Sequence, residues 1–467
     1  MARTASSRAK EIRAALQAEL GDGAVLPGDT TGYLEDATEG RGVRGVADAV
    51  VLAGSTEELA RALSWCYSND VAVIPRGGGT GYAGGAVPLH GGVVLGLERM
   101  TAVREFEPER WRICVEAGVR TADVRRMARE NGLFFPPDPG AAEQSQIGGN
   151  IATNAGGPHA FKYGVTGHWV SGLEAVVPPG EVIEVGGPVR KDVAGYDLRG
   201  LLVGSEGTLG IVTAAWLKLL PAPEAVLPVV ALYKDVEQGC AAIERVMASG
   251  VEASVLDYLD GATLAAAGDS FPEPLPGEAP FMVLSEADGS ALEAERVCEE
   301  LIGALEAGSV QLYAPRTRAE IDGLWRWRDG VSVAVSAKHG GKVSEDIVVP
   351  VERLAEAIER TLEIGAREGL EPCSWGHAGD GNLHSTFMLD PRDPEQLERG
   401  ERAAEELFQL AVELGGSISG EHGVGWTKAG RLGLQWAPRA LELHAGLKRS
   451  FDPKGLLNPG KKLARMG

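Results

Sequence analysis

The sequence predicts an α+β protein of more than one domain, and three observations predict it. Strand-like and helix-like stretches alternate through residues 43–130. Three loops rich in glycine and other small residues lie beside apolar strands between residues 75 and 212. Helices alternate with strands again through 225–370, which fits a second α+β domain built on an antiparallel sheet. A chain of 467 residues has ample core for two or three such bodies.

The first twenty residues carry Ile12, Leu16 and Leu20 at helical spacing, with Glu11 and Glu19 among the basic side chains. No apolar core or cleavage site accompanies them, so this stretch is expected to belong to the fold and not to a targeting peptide. A strand is expected over 43–51, a helix over 55–68 capped by Ser55, and a strand over 71–74. The run from Pro75 to Gly85 follows. Gly79, Gly81 and Gly84 satisfy G-x-G-x-x-G, but the next strand, 93–97, begins without the crossover helix that a dinucleotide fingerprint must open. Such a loop can still bind phosphate through successive backbone N–H groups. Strands over 102–106 and 112–117 and a helix over 121–130 come next, then the extended Pro136-Pro137-Asp138-Pro139. The run 146–157 is too rich in Gly and Asn for a helix interior and too long for a turn. Its small side chains suit close approach to a flat ligand. With the third run, 202–212, these loops point to one large ligand carrying both phosphates and a ring system.

In the second half, helices are expected over 236–248, 290–306 and 351–368, and strands over 225–232, 253–258, 280–285 and 344–349, with 270–278 a surface loop. Leu324-Trp325-Arg326-Trp327-Arg328 sets cations beside aromatics. Arg328 can clamp a carboxylate in bidentate fashion, or the Trp residues pack inward and the Arg residues face water. Lys342 is a weaker second cation, with Glu345 and Asp346 as candidate ion-pair partners.

Histidine is scarce, 8 residues in all, yet three fall in two short Gly-rich stretches. His377 and His384 flank Ala-Gly-Asp-Gly-Asn-Leu, a turn that can fold one imidazole toward the other. Glu421 and His422 follow in a second such stretch. Two imidazoles and a carboxylate with an open position suit a borderline divalent cation, Zn²⁺ first, with Mn²⁺, Fe²⁺ or Co²⁺ behind it.

Composition narrows the partners. With 66 acidic against 45 basic residues the net charge is -21, so nucleic acid is not expected to bind. The five cysteines, Cys66, Cys114, Cys240, Cys298 and Cys373, are scattered without C-x-x-C. That argues for reduced thiols in a cytoplasmic protein, without disulfides or an iron–sulfur cluster. No apolar run approaches the roughly 18 residues of a spanning helix, so no transmembrane segment is expected.

The motifs Pro75-Arg76-Gly77-Gly78-Gly79-Thr80-Gly81, Pro136–Pro139, Ile147–Gly157 and Gly204-Ser-Glu-Gly-Thr-Leu-Gly-Ile211 resemble the FAD-binding domain of the vanillyl-alcohol oxidase/PCMH superfamily. Gly376–His384, Gly420–Gly425 and the terminal run 452–461 resemble its D-2-hydroxyacid dehydrogenase branch, which includes D-lactate and D-2-hydroxyglutarate dehydrogenases and glycolate oxidase flavin subunits. The resemblance runs over about residues 40–463 and implies four segments. These are an N-terminal helical segment, 1–42, packed on the FAD domain; a PCMH-type FAD domain of two α+β subdomains, 43–222; a substrate-binding and catalytic cap, 223–450; and a C-terminal segment, 451–467, that returns to the FAD domain. It implies flavin contacts at Pro75, Arg76, Gly77, Gly78, Gly79, Thr80 and Gly81, at Pro137, Asp138 and Ser145, and at Gly148, Gly149, Asn150, Ala152, Thr153 and Gly157. Further contacts fall at Glu206, Gly207, Gly210, Ile211 and Asn458. Covalent members often carry His where Thr80 stands, so noncovalent FAD is implied. The family's Trp-x-x-Arg matches Trp325–Arg328 and favours Arg328 as the carboxylate anchor.

The expected activity is oxidation of a D-2-hydroxyacid to the 2-oxoacid. His422 would be the general base, Arg328 and Lys342 would hold substrate, and His377, His384 and Glu421 would hold the metal. The competing readings are an alkylglycerone-phosphate synthase-like FAD enzyme, a non-catalytic flavin subunit of a glycolate oxidase-type complex, and a flavin-free metallohydrolase. No nicotinamide motif is present, so electrons are expected to leave to a quinone, a cytochrome, an electron-transfer flavoprotein or a partner subunit. The residues do not specify an oligomeric state; a homodimer is compatible with them.

Overall fold

The computed structural model describes residues 2–38, 41–277 and 279–464; residues 1, 39–40, 278 and 465–467, which belong to the expected segments 1–42, 270–278 and 451–467, lie outside the described residues. Helix Thr56–Ser68 forms where its cap was expected, with Ser55 extended and its hydroxyl accepting the Glu58 N–H. Its buried Leu59, Leu63 and Cys66 pack with Ile12 and Leu16 of helix Ala2–Leu20. Beneath lies a four-stranded sheet in the order Val25–Pro27, Ala49–Leu52, Val93–Gly96, Val73–Arg76, whose last three strands run parallel. The second of these strands starts later than expected, at Ala49; the residues before it pack against Pro88, with Val46 N–H donating to Pro88 O at 2.9 Å and a Cβ on Gly45 falling 2.4 Å from the same oxygen. Leu457 closes the same core, with Val73 N–H donating to Leu456 O and Asn458 N–H to Val73 O.

A five-stranded antiparallel sheet follows, in the order Val103–Glu107, Arg112–Glu116, Ile211–Lys218, Val170–Val177, Glu181–Gly186. Against it lies a helix that the sequence reading did not expect, Ile147–Thr153. Its glycines serve packing: a Cβ on Gly148 would stand 2.7 Å from the Ala117 Cβ. The buried Asn150 donates to Thr121 Oγ1 at 2.6 Å, and Asn154 ends the helix in the left-handed region. Tertiary contact overrides the poor intrinsic propensity.

The second half forms one seven-stranded antiparallel sheet, in the order Gln311–Tyr313, Ala225–Tyr233, Phe281–Gly289, Val255–Leu259, Glu371–Gly376, Asn382–Leu389, Gly341–Val348. Helices Val236–Ser249, Ala291–Glu306, Leu354–Arg367 and Pro394–Glu413 cover one face, where Val229, Tyr258, Val283 and Phe387 are buried. The neighbouring residues Val230, Leu259, Leu284 and Met388 point the other way, onto Leu324, Trp327, Val331 and Val335 of helix Arg318–His339. That second face also carries the polar groups of the site.

Candidate active site

The three small-residue loops wall one groove. Pro75, Arg76, Gly77, Gly78, Gly79, Thr80 and Gly81 line it from one side; Ser145, Gly148, Gly149, Asn150, Ala152 and Thr153 from another; and Glu206, Gly207, Gly210 and Ile211 from the third. Among the described residues no protein acceptor takes the backbone N–H groups of Gly77 to Gly81, which leaves a row of donors suited to a phosphate. A Cβ on Gly81 or Gly149 would meet nothing within 4 Å. Protein packing therefore does not require glycine at either place, whereas a flat ligand lying on the backbone would. Gly78 differs, because its Cβ would fall 2.3 Å from Gln144 O.

Four residues that the resemblance assigned to the cofactor are not among those lining the groove. Pro137 is buried, and Asp138 and Gly157 line the neighbouring cleft. Asn458 donates to Gly85 O at 3.0 Å and Glu206 O at 2.8 Å. The polar atoms of two lining residues also turn inward. Arg76 donates to Glu35 O at 2.8 Å, and the Glu206 carboxylate accepts the N–H groups of Val424 and Gly425 at 2.8 and 2.6 Å. Pro139 of the Pro136–Pro139 motif lines the groove, together with Gly140 and Ala141, which the sequence did not single out.

The neighbouring cleft is built on a hairpin. Strand Glu371–Gly376 passes through the turn Ala378–Asp380 into strand Asn382–Leu389, and Gly381 takes a φ of +66° to close it. A Cβ on Gly381 would also stand 1.9 Å from Val349 O. The turn brings the His377 and His384 rings to 5.4 Å between centroids. Glu421 Oε1 stands 3.5 Å from His377 Nε2 and 3.5 Å from His384 Nε2. Donors bound tetrahedrally at about 2.0–2.2 Å stand roughly 3.3–3.6 Å apart, so both Glu421 spacings match one small divalent cation, and all three ligand atoms lie within 4.8 Å of one another. The His422 ring lies 4.6 Å from the Tyr82 ring and stacks on the His384 ring, 5.1 Å away and nearly parallel at 6°.

Arg328 shares the inward face of its helix with Leu324, Trp327 and Val331, while Arg326 is exposed. Its Nε and Nη2 lie 2.9 and 2.6 Å from Asp257 Oδ2. Lys342 donates to Ser332 Oγ at 2.6 Å and lies 5.1 Å from the centre of the Trp375 ring. Glu345, one of its sequence-suggested partners, receives Arg41 and Lys428, the latter at 3.4 Å. Tyr82, Pro139, Gly140, Ala141, Glu421 and His422 line both groove and cleft, so the two spaces share a wall.

The sequence does not single out Asp257 or His159, and it offers Asp346 only as a candidate ion-pair partner of Lys342, because their partners are distant in the chain. Asp257 accepts from His377 Nδ1 at 2.8 Å and so fixes that ring with Nε2 toward Glu421. Burial disfavours a charged His377, yet Asp257 and Glu421 outweigh it and hold the pKa well above the ordinary value. Burial, joined by the charges of His422 and His377, pushes His384 well below it. Asp346 is fully buried; one oxygen accepts from Gly420, Glu421 and His422 N–H at 2.8, 2.9 and 2.9 Å. His159 lies between Asp138, at 2.5 Å, and Glu286, at 2.8 Å, and Glu286 also accepts from the Trp325 indole at 2.8 Å.

A groove of glycine loops closed by an antiparallel-sheet cap places the chain in the PCMH/vanillyl-alcohol oxidase class of flavoprotein folds. The fold matches that of 4-ethylphenol oxidase from Gulosibacter chungangensis with a TM-score of 0.79 over 98% of both chains, at 19% identity. Residues 47–186 match the family described as FAD binding domain, and residues 222–462 that described as FAD linked oxidases, C-terminal domain. The chain is 39% identical over 434 residues to glycolate oxidase subunit GlcD of Bacillus subtilis (strain 168), covering 93% of this chain and 92% of that one. It is 34% identical over 423 residues to D-lactate dehydrogenase of Anaerostipes hadrus, covering 89% of each. The protein belongs to the FAD-linked oxidases and is an FAD-linked oxidoreductase. Among the described residues no helix is long and apolar enough to cross a membrane.

Proposed function

We propose that the protein oxidises a D-2-hydroxyacid of the glycolate or D-lactate type to the 2-oxoacid. The observation that carries this reading is the wall shared by groove and cleft: His422 and Glu421 border the flavin space on one side and the cleft holding Arg328, Lys342, His377 and His384 on the other. The names of the relatives, a glycolate oxidase subunit and D-lactate dehydrogenase, point to the same substrates. Asp257 engages the Nε/Nη2 edge of Arg328, and the Nη1 edge is left for the substrate carboxylate. Lys342 adds a second positive charge in the same cleft. His422, beside Tyr82 and His384, takes the hydroxyl proton. When bound, FAD accepts a hydride, and a cation such as Zn²⁺ lowers the hydroxyl pKa. His377, His384 and Glu421 hold that cation, and the loops 75–81, 145–153 and 206–211 hold the FAD noncovalently.

Electrons leave to a quinone, a cytochrome, an electron-transfer flavoprotein or a partner subunit. Five buried free thiols favour a cytoplasmic setting. Anaerobic mixing with D-lactate and glycolate should bleach the flavin, and L-lactate should not. His422→Asn should lower kcat by about 10²–10⁴-fold with flavin retained. A flavin that no 2-hydroxyacid bleaches, or an undiminished His422→Asn enzyme, overturns the reading.

A further inference from the structure

We infer that the loop carrying Glu421 and His422 is slung between two internal carboxylates, Asp346 of the cap and Glu206 of the flavin domain, and that these two are positioning residues for the reaction. The inference rests on the reading of His422 as the base. Asp346 Oδ2 accepts from the backbone N–H groups of Gly420, Glu421 and His422 and from Ser419 Oγ at 3.1 Å, while Oδ1 accepts from Asn382 Nδ2 at 2.6 Å. With both oxygens so engaged, Asp346 serves as an anchor and not as a further metal ligand, although its carboxylate lies near the His384 and His422 nitrogens. Three consecutive N–H groups converging on one oxygen form the nest that elsewhere binds a free anion. Here the anion belongs to the protein.

Strand register explains why this carboxylate can set catalytic geometry. Asp346 is the cross-strand partner of His384, so the group that grips the loop stands beside the strand-borne imidazole. Glu206 holds the other end. Its oxygens accept from Val424 and Gly425 N–H, Lys462 Nζ lies 3.3 Å away, and Lys462 N–H closes on Gly425 O at 2.9 Å. Glu206 has a φ of +55°, a backbone conformation that a non-glycine residue keeps when its surroundings hold it there. Two glycines permit the close approach. A Cβ on Gly420 would stand 2.4 Å from Asn382 Nδ2, and one on Gly423 3.0 Å from Glu206 Oε1. One carboxylate thus sets His422 against the cap imidazoles, and the other sets it against the groove where the hydride is received.

The test is steady-state kinetics of the flavin-loaded enzyme with a D-2-hydroxyacid and an artificial dye acceptor, for Asp346→Asn, Glu206→Gln, Gly420→Ala and His422→Asn. Gly420→Ala pushes the loop off Asp346 without removing a charge, and so covers the case in which Asp346→Asn fails to fold. For Asp346→Asn, Glu206→Gln and Gly420→Ala we expect kcat to fall about 10- to 100-fold with KM within about threefold of wild type and flavin retained. The inference is overturned if these variants turn over within about twofold of wild type while His422→Asn does not. It is also overturned if their loss of rate is matched by a loss of flavin or a parallel rise in KM. An active His422→Asn enzyme signals failure of the base assignment instead.

Discussion

At the scale of single residues, the geometry of the cleft turns on a buried carboxylate, Asp257. Asp257 bridges the two groups whose jobs differ most, lying 2.8 Å from the His377 Nδ1 atom and 2.9 Å from Arg328 Nε. Burial would raise its pKa, but Arg328 and His377 outweigh that and keep it below the ordinary carboxylate value. The same pairing keeps a proton on His377, whose pKa is held well above ordinary. An imidazole must lose that proton before Nε2 can bind a cation. Zinc uptake by the metal-free protein should therefore release a proton near neutral pH, and affinity should rise with pH until His377 is neutral. Calorimetry in buffers of different ionisation enthalpy would read the proton directly; uptake with no proton release and no pH dependence would remove His377 from the ligand set. Asp257→Asn should flatten the dependence and weaken zinc binding about 10- to 100-fold.

At the scale of elements, helix Ile147–Thr153 shows two reasons for glycine within two positions. Gly148 faces Ala117 with no room for a methyl, whereas Gly149 faces the groove with open space before it. Gly149→Ala should therefore leave the thermal stability of the flavin-free protein unchanged or raised by about 0.5–1 kcal/mol, since alanine favours a helix. Gly148→Ala should destabilise it by about 1–3 kcal/mol through overpacking. Flavin retention on dilution should fall in Gly149→Ala, and retention equal to wild type would take this face out of the cofactor site. The contrast shows what the sequence made legible. Local signals did well for the Ser55 cap and for the turn that pairs His377 with His384, which follow from spacing that neighbouring residues impose, whereas the inward Arg328 rested on the family's Trp-x-x-Arg, because spacing alone left a water-facing Arg open. The helix itself was missed because Gly and Asn score poorly until Ala117 and Thr121, some thirty residues away, are in place. Asp257 and Glu286 were missed, and Asp346 was read only as a candidate partner of Lys342, for a related reason. They sit on one face of the cap sheet, as do Lys342 and His384, but on strands whose pairing a single sequence does not reveal.

At the scale of the whole molecule, the face of the cap sheet that carries the site is also tied to the flavin domain by charge. Lys162 and Tyr163 reach Asp288 at 2.7 and 2.6 Å, and His159 joins Asp138 of its own domain to Glu286 of the cap at 2.5 and 2.8 Å. Burial alone would strip the proton from His159, but Asp138 and Glu286 outweigh it and hold the pKa well above ordinary; Asp329 faces the same group. A histidine whose folded pKa exceeds its unfolded value, about 6.5, stabilises fully below that value. As pH rises from there the unfolded chain sheds its proton first, and the stabilisation fades until the folded group is neutral as well. The difference in Tm between wild type and His159→Gln should therefore be largest near pH 6 and shrink steadily toward pH 9, with wild type the more stable at the acidic end. A thermal series of the two proteins at half-unit intervals would show it. A difference independent of pH would mean that His159 is neutral in the fold and that the link between the domains rests on Lys162 and Tyr163.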